Sequence, residues 1–309
     1  MERLVFLFGT MIEIKDVNGM KVIQWYPGHM AKAKREVSEK IKLVDVVFEL
    51  VDARLPISSR NPVLDEIIQH KPRIIILNKS DLADKKATQQ WVNYFENQGI
   101  PAIPIVAQEG KGVKEITARA KQLMQPKFDR MAEKGMKPRP IRAMSIGIPN
   151  VGKSTLINRL VKKNVAKTGN RPGITKAQQW LKLGKEIELL DTPGILWPKF
   201  EDPEIGKKLA LTGAIKDTLL NIDDIVLYGI GFLKENHPAA LAKRYNLTTE
   251  ELTLDNPELL ILISEKRGFR DDYNRAAEMV LYEIRDGKIS PFTLDVVPVQ
   301  ESEGEETND

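Results

Sequence analysis

The chain has 309 residues, 42% of them hydrophobic, a formal net charge of +4 and no cysteine. This length can hold two domains, each with its own core. The absence of cysteine excludes disulfides and Cys-based metal sites, and it fits a reducing, cytoplasmic location. The apolar run Leu4–Phe8 is far too short to span a membrane, so no membrane partner is expected.

The predicted elements begin after a short leader. Residues 1–19 are expected to form a disordered extension, with Met20 as the more natural start. Beyond it, short β-branched runs with turn or charged borders alternate with helical patterns, which predicts an α/β fold with a mostly parallel sheet and helices on both faces. The predicted strands are Val44–Val51, Arg73–Leu77, Ile100–Val106, Ile141–Ile146 and Glu186–Leu190.

Two nucleotide-binding motifs follow these strands in an unusual order. Asn78–Asp81 has the guanine-reading form N-K-x-D, and it precedes Gly147–Ser154, a phosphate loop of the form G-x-x-x-x-G-K-[ST]. The four-residue match also arises by chance as a turn after a strand, whereas the eight-residue loop is far more specific. Because the phosphate loop normally comes first, the order predicts a circularly permuted P-loop GTPase domain over residues 20–200.

The phosphate loop needs its residue types. Gly147 and Gly152 let the backbone turn so that N–H groups point at phosphate oxygens at the start of a helix. Lys153 would contact the β and γ phosphates and assist catalysis, and the Ser154 hydroxyl would ligate Mg2+. The predicted nucleotide contacts of this loop are Asn150, Val151, Gly152, Lys153, Ser154 and Thr155.

Two further segments supply the rest of a Mg2+ and γ-phosphate site. Asp191–Gly194 reads D-T-P-G after a predicted strand, which suits a carboxylate that binds Mg2+ through water and a Gly194 N–H that senses the γ phosphate. The loop between the two motifs contains Thr175, which is predicted to give Mg2+ a second hydroxyl and to act in catalysis.

The N-K-x-D box decides which base binds. Asp81 is acceptor-only, so it can take both the N1–H and the N2–H of guanine, and Asn78 and Lys79 complete the predicted contacts. Val106–Gln108 falls where GTPases usually carry a Ser-Ala-Lys loop. Because it departs from that pattern, only the backbone N–H of Ala107 is expected to reach the base oxygen.

The C-terminal third is predicted to be an all-helical domain over residues 201–298, followed by a disordered acidic tail at 299–309. Helical spacing covers Pro203–Lys216, Asp223–Glu235 and Asp271–Arg285, and Asn256 opens another helix. The basic residues that this domain could offer to RNA are Lys243, Arg244, Lys266, Arg267 and Arg270.

The motif order and several longer stretches resemble the circularly permuted ribosome biogenesis GTPase A family. The stretches that match are Trp25–Met30, Asp52–Arg54 and Asp191–Phe200. The resemblance implies a cytoplasmic, monomeric GTPase, slow alone and stimulated by the ribosomal particle. It would bind rRNA and ribosomal proteins of a late large-subunit precursor, rather than DNA, and use GTP hydrolysis in its maturation.

Two positions, His29 and Asn150, have competing interpretations. Ile195 stands where Ras-type GTPases have a water-orienting Gln, and the resemblance implies that His29, ahead of the first helix, replaces it; otherwise His29 follows a turn and contacts RNA or caps the helix. Asn150 is interpreted either as a K+ ligand, which the resemblance implies, or as a turn residue. Asp52–Arg54 is expected to be a strand-end loop whose charges face water.

Charge is unevenly distributed. Residues 21–200 contain 33 Lys and Arg against 17 Asp and Glu, whereas residues 201–300 contain 12 against 18. A basic GTPase half favours a polyanion such as rRNA. Its densest clusters are Lys32–Arg35 and a run expected in a linker, comprising Lys127, Arg130, Lys134, Lys137, Arg139 and Arg142. The alternative function is a GTP-gated RNA-binding module in which hydrolysis is incidental.

Overall fold

The computed structural model describes residues 14–15, 21–22, 27–68, 71–161, 180–192, 194, 202–219, 221–270 and 272–298. Its strands are β1 (Ile14–Lys15), β2 (Lys21–Val22), β3 (Val46–Asp52), β4 (Arg73–Asn78), β5 (Ala102–Pro104), β6 (Ile141–Gly147), β7 (Trp180–Leu183) and β8 (Ile187–Asp191). Strands β1 and β2 form a separate antiparallel pair, so Ile14–Lys15 is paired although it lies in the predicted disordered extension.

The central sheet has six strands in the order β5-β4-β3-β6-β8-β7. Neighbours are parallel except for β7, which pairs antiparallel with β8 at the edge. The α/β fold class is therefore confirmed. Along the chain, β3, β4 and β5 are added in turn toward one edge of the sheet. The chain then returns to place β6 on the other side of β3, which agrees with the permuted order of the motifs.

Helices cover both faces of this sheet. They are α1 (Pro27–Lys40), α2 (Pro62–Ile68), α3 (Lys85–Asn97), α4 (Val113–Glu133) and α5 (Lys153–Val161). Alternate residues of β3 point to opposite faces: Val47 packs with residues of α1 and α2, whereas Phe48 packs in the cluster that contains residues of α4 and α5. Every residue of β3 is buried, as expected for a central parallel strand.

The C-terminal region consists of α6 (Pro203–Leu211), α7 (Ile222–Asn236), α8 (Pro238–Tyr245), α9 (Asn256–Lys266) and α10 (Tyr273–Arg285). Aspartates fix several helix starts, since Asp202 and Asp255 each accept a backbone N–H of the first turn. The predicted C-terminal helical region is confirmed, and its last helix ends at Arg285. Residues 286–298 have no regular secondary structure apart from a turn, and they run back along the GTPase half.

That returning segment joins the two halves. The Phe292 N–H donates to the Leu82 carbonyl at 3.1 Å, and the Leu294 N–H donates to the Arg54 carbonyl at 2.9 Å. Asp295 accepts hydrogen bonds from the Ser58 N–H and hydroxyl. One continuous buried cluster also contains strand residues of the sheet together with residues of α6, α7, α9 and α10. This buried cluster therefore extends across both halves of the chain. No helix in the described ranges is long and apolar enough to cross a membrane.

Candidate functional site

The motif residues meet at one edge of the sheet. Asp52 ends β3, Asn78 ends β4, Gly147 ends β6 and Asp191 ends β8, and these are four adjacent parallel strands. The chain leaves β3 and β6 toward opposite sides of the sheet, which makes their carboxyl ends a topological switch point. Ligands of open α/β sheets bind at such points.

The phosphate loop has the backbone that its glycines allow. Gly152 and Asn150 have positive φ angles of 94° and 61°. A Cβ on Gly152 would lie 2.2 Å from Asn78 Nδ2, and one on Gly147 would lie 2.7 Å from the Leu50 carbonyl oxygen. Both glycines are thus required by close neighbours as well as by geometry. Helix α5 begins directly after Gly152, at Lys153, which places the phosphate loop at a helix N-terminus.

Asn78 ties the guanine box to the phosphate loop. Its Nδ2 donates to the Val151 carbonyl at 2.6 Å, and its Oδ1 accepts the Ala107 N–H at 3.0 Å. The Ala107 N–H, which was expected to reach the base oxygen, is therefore occupied by Asn78. A contact with the base would require breaking this bond. Asn78 acts here as a brace between three loops.

The rest of the box lies beside this brace. Lys79 has a positive φ of 59° and donates from Nζ to Asp52 Oδ2 at 2.9 Å. Asp81 is exposed to solvent, which leaves its carboxylate open to a ligand. Arg159 of α5 holds the Ala107–Gln108 loop by donating to both of its carbonyl oxygens. No sequence motif marks Arg159, because it is a single basic residue in the last turn of a helix.

Lys153 and Asp191 are buried together beneath the phosphate loop. Burial lowers the pKa of Lys153 to about 8, although the negative charge of Asp191 acts to raise it. Burial raises the pKa of Asp191, although the charge of Lys153 and a hydrogen bond from the Thr192 N–H both act to lower it. Asp191 Oδ1 is a buried oxygen that has no hydrogen-bond partner in the described part of the chain.

The Asp191 carboxylate and the Ser154 hydroxyl are oxygen groups that suit a divalent cation. Mg2+ prefers carboxylate, hydroxyl and water oxygens. The unpaired Asp191 Oδ1 fits a group that binds Mg2+ through water, and partly buried Ser154 follows Lys153 in the first turn of α5. Gly194 lies against the phosphate loop, where an added Cβ would meet Pro149 N at 2.9 Å. Gly194 of the D-T-P-G segment therefore touches the phosphate loop.

The side chains of two predicted catalytic residues, Thr175 and His29, lie outside the described part of the structure. Thr175 lies outside the described residues. His29 belongs to the first turn of α1, not to a segment ahead of it, and its side chain is also outside the described part. Asn150 donates from Nδ2 to the Gly213 carbonyl at 3.0 Å, a contact between the phosphate loop and the C-terminal half.

The expectation that Asp52–Arg54 faces water is wrong. Arg54 is only 1% exposed and Asp52 only 3%. They form a bidentate pair, with Arg54 Nε 2.9 Å from Asp52 Oδ1 and Arg54 Nη2 2.8 Å from Asp52 Oδ2. Charged residues at a strand end usually face solvent, so no signal in the sequence distinguished this buried pair.

Several residues of the predicted basic clusters form ion pairs or hydrogen bonds within the protein. Lys127 and Arg130 lie on α4 and Arg142 on β6, so the expected linker is much shorter than predicted. Lys127 and Arg139 both pair with buried Asp45. In the C-terminal half, three of the basic residues suggested for RNA make internal contacts: Arg244 with Glu283, Lys266 with Glu251, and Arg267 with the Arg244 carbonyl. The exposed basic residues include Arg130, Lys134, Lys137, Lys243 and Arg270.

Comparison with known proteins identifies the family. Residues 142–266 match the family described as 50S ribosome-binding GTPase. Ribosome biogenesis GTPase A of Bacillus cereus is 56% identical over 293 residues, which cover 93% of this chain and 97% of that protein. The chain belongs to the ribosome biogenesis GTPase A family. The Priestia megaterium member is 60% identical over 88% of this chain and 96% of its own length.

More distant relatives agree. Mitochondrial ribosome-associated GTPase 1 of Mus musculus is 31% identical and matches 93% of this chain and 94% of its own length. The crystal structure of GNP-bound YlqF from T. maritima has a TM-score of 0.59 and 27% identity, covering 85% of this chain and 97% of that one. The chain is thus a GTPase of a ribosome biogenesis family, with GTP as its substrate.

Proposed function

We propose that this GTPase binds a late precursor of the large ribosomal subunit through rRNA and uses GTP hydrolysis in its maturation. The observation that carries the nucleotide part is the brace at Asn78, which joins the guanine box to the phosphate loop at the carboxyl edge of the sheet. Family membership and the basic excess of residues 21–200 support the ribosomal part.

In this proposal the guanine box and the phosphate loop divide the nucleotide between them. Asp81 takes the N1–H and N2–H of guanine, while Asn78 holds the loops that frame the base. Backbone N–H groups from Val151 to Thr155 surround the phosphates at the N-terminus of α5, and Lys153 neutralises them. Its lowered pKa reflects burial, and an anionic phosphate beside it favours the protonated form.

Mg2+ would be held by Ser154, Asp191 and Thr175, and when bound it neutralises charge on the β and γ phosphates. Asp191 Oδ1 is buried and has no hydrogen-bond partner among the described residues, which supports this assignment. Gly194, in contact with the phosphate loop, would donate its N–H to the γ phosphate. That contact would make the D-T-P-G segment sensitive to whether GTP or GDP is bound.

The proposal assigns orientation of the attacking water to His29, because Ile195 has no group that can hold water. A His with an ordinary pKa can accept a proton near neutral pH, and general-base catalysis contributes about two to four orders of magnitude. Helix α1 carries His29 in its first turn, and its Val37 belongs to the same buried cluster as Ile146, which directly precedes the phosphate loop.

K+ is proposed as a second cation, bound by the Asn150 side chain beside the phosphates. Its Nδ2 donates to the Gly213 carbonyl, so the amide oxygen is the atom that would face the cation. The positive φ of Asn150 supports the turn interpretation equally well. A comparison of K+ with Na+ decides between them.

The test is GTP turnover with and without purified large-subunit precursor particles. We expect slow hydrolysis by the free protein and a marked rise when the particle is added, with stimulation that weakens steeply as salt increases. A rate unchanged by the particle, together with GTP-dependent RNA binding, would instead favour the GTP-gated RNA-binding module. Mature subunits serve as the control for specificity toward the precursor.

A further inference from the structure

The Arg54 guanidinium lies at the junction of the GTPase half and the C-terminal helices. Besides its pair with Asp52, it donates from Nη2 to the Thr212 carbonyl at 3.1 Å and from Nη1 to the Arg285 carbonyl at 3.3 Å. Thr212 directly follows α6, and Arg285 is the last residue of α10. One buried cation therefore contacts the C-terminal ends of two helices.

Helix ends explain why a cation is stable there. The last carbonyls of a helix lack partners within the helix and carry the negative end of its dipole. Arg54 satisfies one carbonyl at the end of each helix and remains paired with a carboxylate. Arg285 adds to the same corner by donating to the Ala210 and Leu211 carbonyls. The five donors of a guanidinium, set in a plane, allow such contacts, whereas a lysine ammonium offers a single point.

Asp52 extends this junction to the guanine box. Its Oδ2 accepts from Lys79 Nζ at 2.9 Å as well as from Arg54. Burial alone would raise the pKa of Asp52, but Arg54 and Lys79 together hold the pKa below its usual range. One carboxylate thus fixes two cations, one at the base-binding motif and one at the helix ends. Removing its charge would release both.

The phosphate loop reaches the same corner by a separate route. Asn150 donates to the carbonyl of Gly213, the residue next to Thr212. Gly213 has a positive φ of 83°, and a Cβ there would meet the Arg285 side chain at 3.5 Å. The guanine box and the phosphate loop therefore both contact the 212–213 turn.

We propose that Asp52 and Arg54 are positioning residues that tie Lys79 of the guanine box to the ends of α6 and α10, so that guanine-nucleotide binding and docking of these helices stabilise each other. The proposal rests on the nucleotide site proposed above. Binding linkage is reciprocal, and typical coupling changes affinity by about 5- to 150-fold. The contacts predict that the coupling is positive. The docked helices hold Arg54 and its partner Asp52 in place, and Asp52 in turn holds Lys79 of the guanine box.

The test uses the full-length protein with Arg54→Lys and a matched control, Arg60→Lys. Arg60 also makes a bidentate pair with a buried carboxylate, Glu49, but it contacts neither the guanine box nor the C-terminal helices in the described structure. GDP affinity is measured by titration. Amide hydrogen exchange is followed with and without GDP at residues 209–214 and 284–288.

In wild-type protein we expect GDP to slow exchange at both helix ends. Arg54→Lys should weaken GDP binding about tenfold and abolish this remote slowing, while GDP still protects the phosphate loop. Arg60→Lys should keep GDP affinity within about twofold and keep the remote protection. Asp52→Asn, which preserves shape, should repeat the Arg54→Lys result and provides a second variant in case Arg54→Lys does not fold.

The outcomes separate the two proposals. Wild-type protein that fails to bind GDP would overturn the nucleotide site itself. Normal GDP binding, with equal protection of the helix ends in wild-type, Arg54→Lys and Asp52→Asn proteins, would overturn only the coupling. A purely structural role for Arg54 would lower stability in both lysine variants without removing the GDP-dependent protection in either.

Discussion

Replacing Asn78 with alanine should separate the guanine box from the phosphate loop. The substitution removes two hydrogen bonds at once, from Asn78 Nδ2 to the Val151 carbonyl and from the Ala107 N–H to Asn78 Oδ1. Val151 and Ala107 are both buried, so the carbonyl and the N–H that remain have no easy access to water. Both loops then lose their shared anchor.

The cost follows from these two backbone groups. A buried polar group left without a partner costs about 1–3 kcal/mol, so Asn78→Ala should lower the free energy of unfolding by about 2–6 kcal/mol. Total stabilities of domains are about 5–15 kcal/mol. In the variant the nucleotide must hold the two loops together itself. If about 1.4–2.8 kcal/mol of the cost is taken from binding, GDP affinity falls about 10- to 100-fold.

Urea unfolding and GDP titration of the same samples measure both effects. The matched control is Asn61→Ala, because Asn61 is also buried and its Oδ1 accepts the Val63 N–H at the start of α2, a helix that carries neither nucleotide-binding motif. We expect the control to lose stability but to keep GDP affinity within about twofold. Equal GDP affinities for the two variants would refute the role of Asn78 as a brace.

Three further predictions concern base choice, hydrolysis and protonation. Asp81→Asn should weaken GTP binding and improve binding of xanthosine triphosphate, whose 2-oxo group matches an amide donor; unchanged GTP affinity would remove Asp81 from the site. His29→Ala should lose about 100-fold or more of the particle-stimulated rate while keeping GTP affinity, and K+ should raise the wild-type rate over Na+ at equal ionic strength if Asn150 binds it. Because burial lowers the folded-state pKa of Lys153 to about 8 from its usual value near 10.5, the nucleotide-free protein should gain stability as pH rises from about 8 to 10.5, where the unfolded chain binds more protons. In that pH window, binding of GDP should be accompanied by proton uptake at Lys153. Calorimetry in buffers of different ionisation enthalpy would detect this uptake as a binding heat that depends on the buffer. A binding heat that does not depend on the buffer would contradict the prediction.

Much of the sheet could be predicted from the sequence because its strands are central and parallel. Such strands are buried on both faces, so Val44–Val51 and Arg73–Leu77 are mostly apolar runs rich in β-branched residues. Strand β7 was missed because it is an edge strand of four residues in which exposed and buried positions alternate. Helix α8 was missed because it is short and directly follows α7, so no loop composition marks its start.

In the site, sequence motifs point to some of the residues, whereas others are defined only by tertiary contacts. Gly152 and Lys153 follow from the chemistry of a phosphate loop. The burial of Asp52 and Arg54 depends on helix ends more than 150 residues away in sequence, and no local pattern carries that information. The same holds for the Ala107 N–H, whose partner Asn78 lies 29 residues earlier.

The most direct test of the account is binding of the protein to the large-subunit precursor in two nucleotide states. Co-sedimentation with purified precursor particles would be measured at one salt concentration, with a non-hydrolysable GTP analogue and with GDP. Gly194 touches the phosphate loop and the 212–213 turn contacts Asn150, so the nucleotide state should bias how the C-terminal helices are presented. The account predicts tighter binding with the analogue. Equal binding in the two states would contradict it.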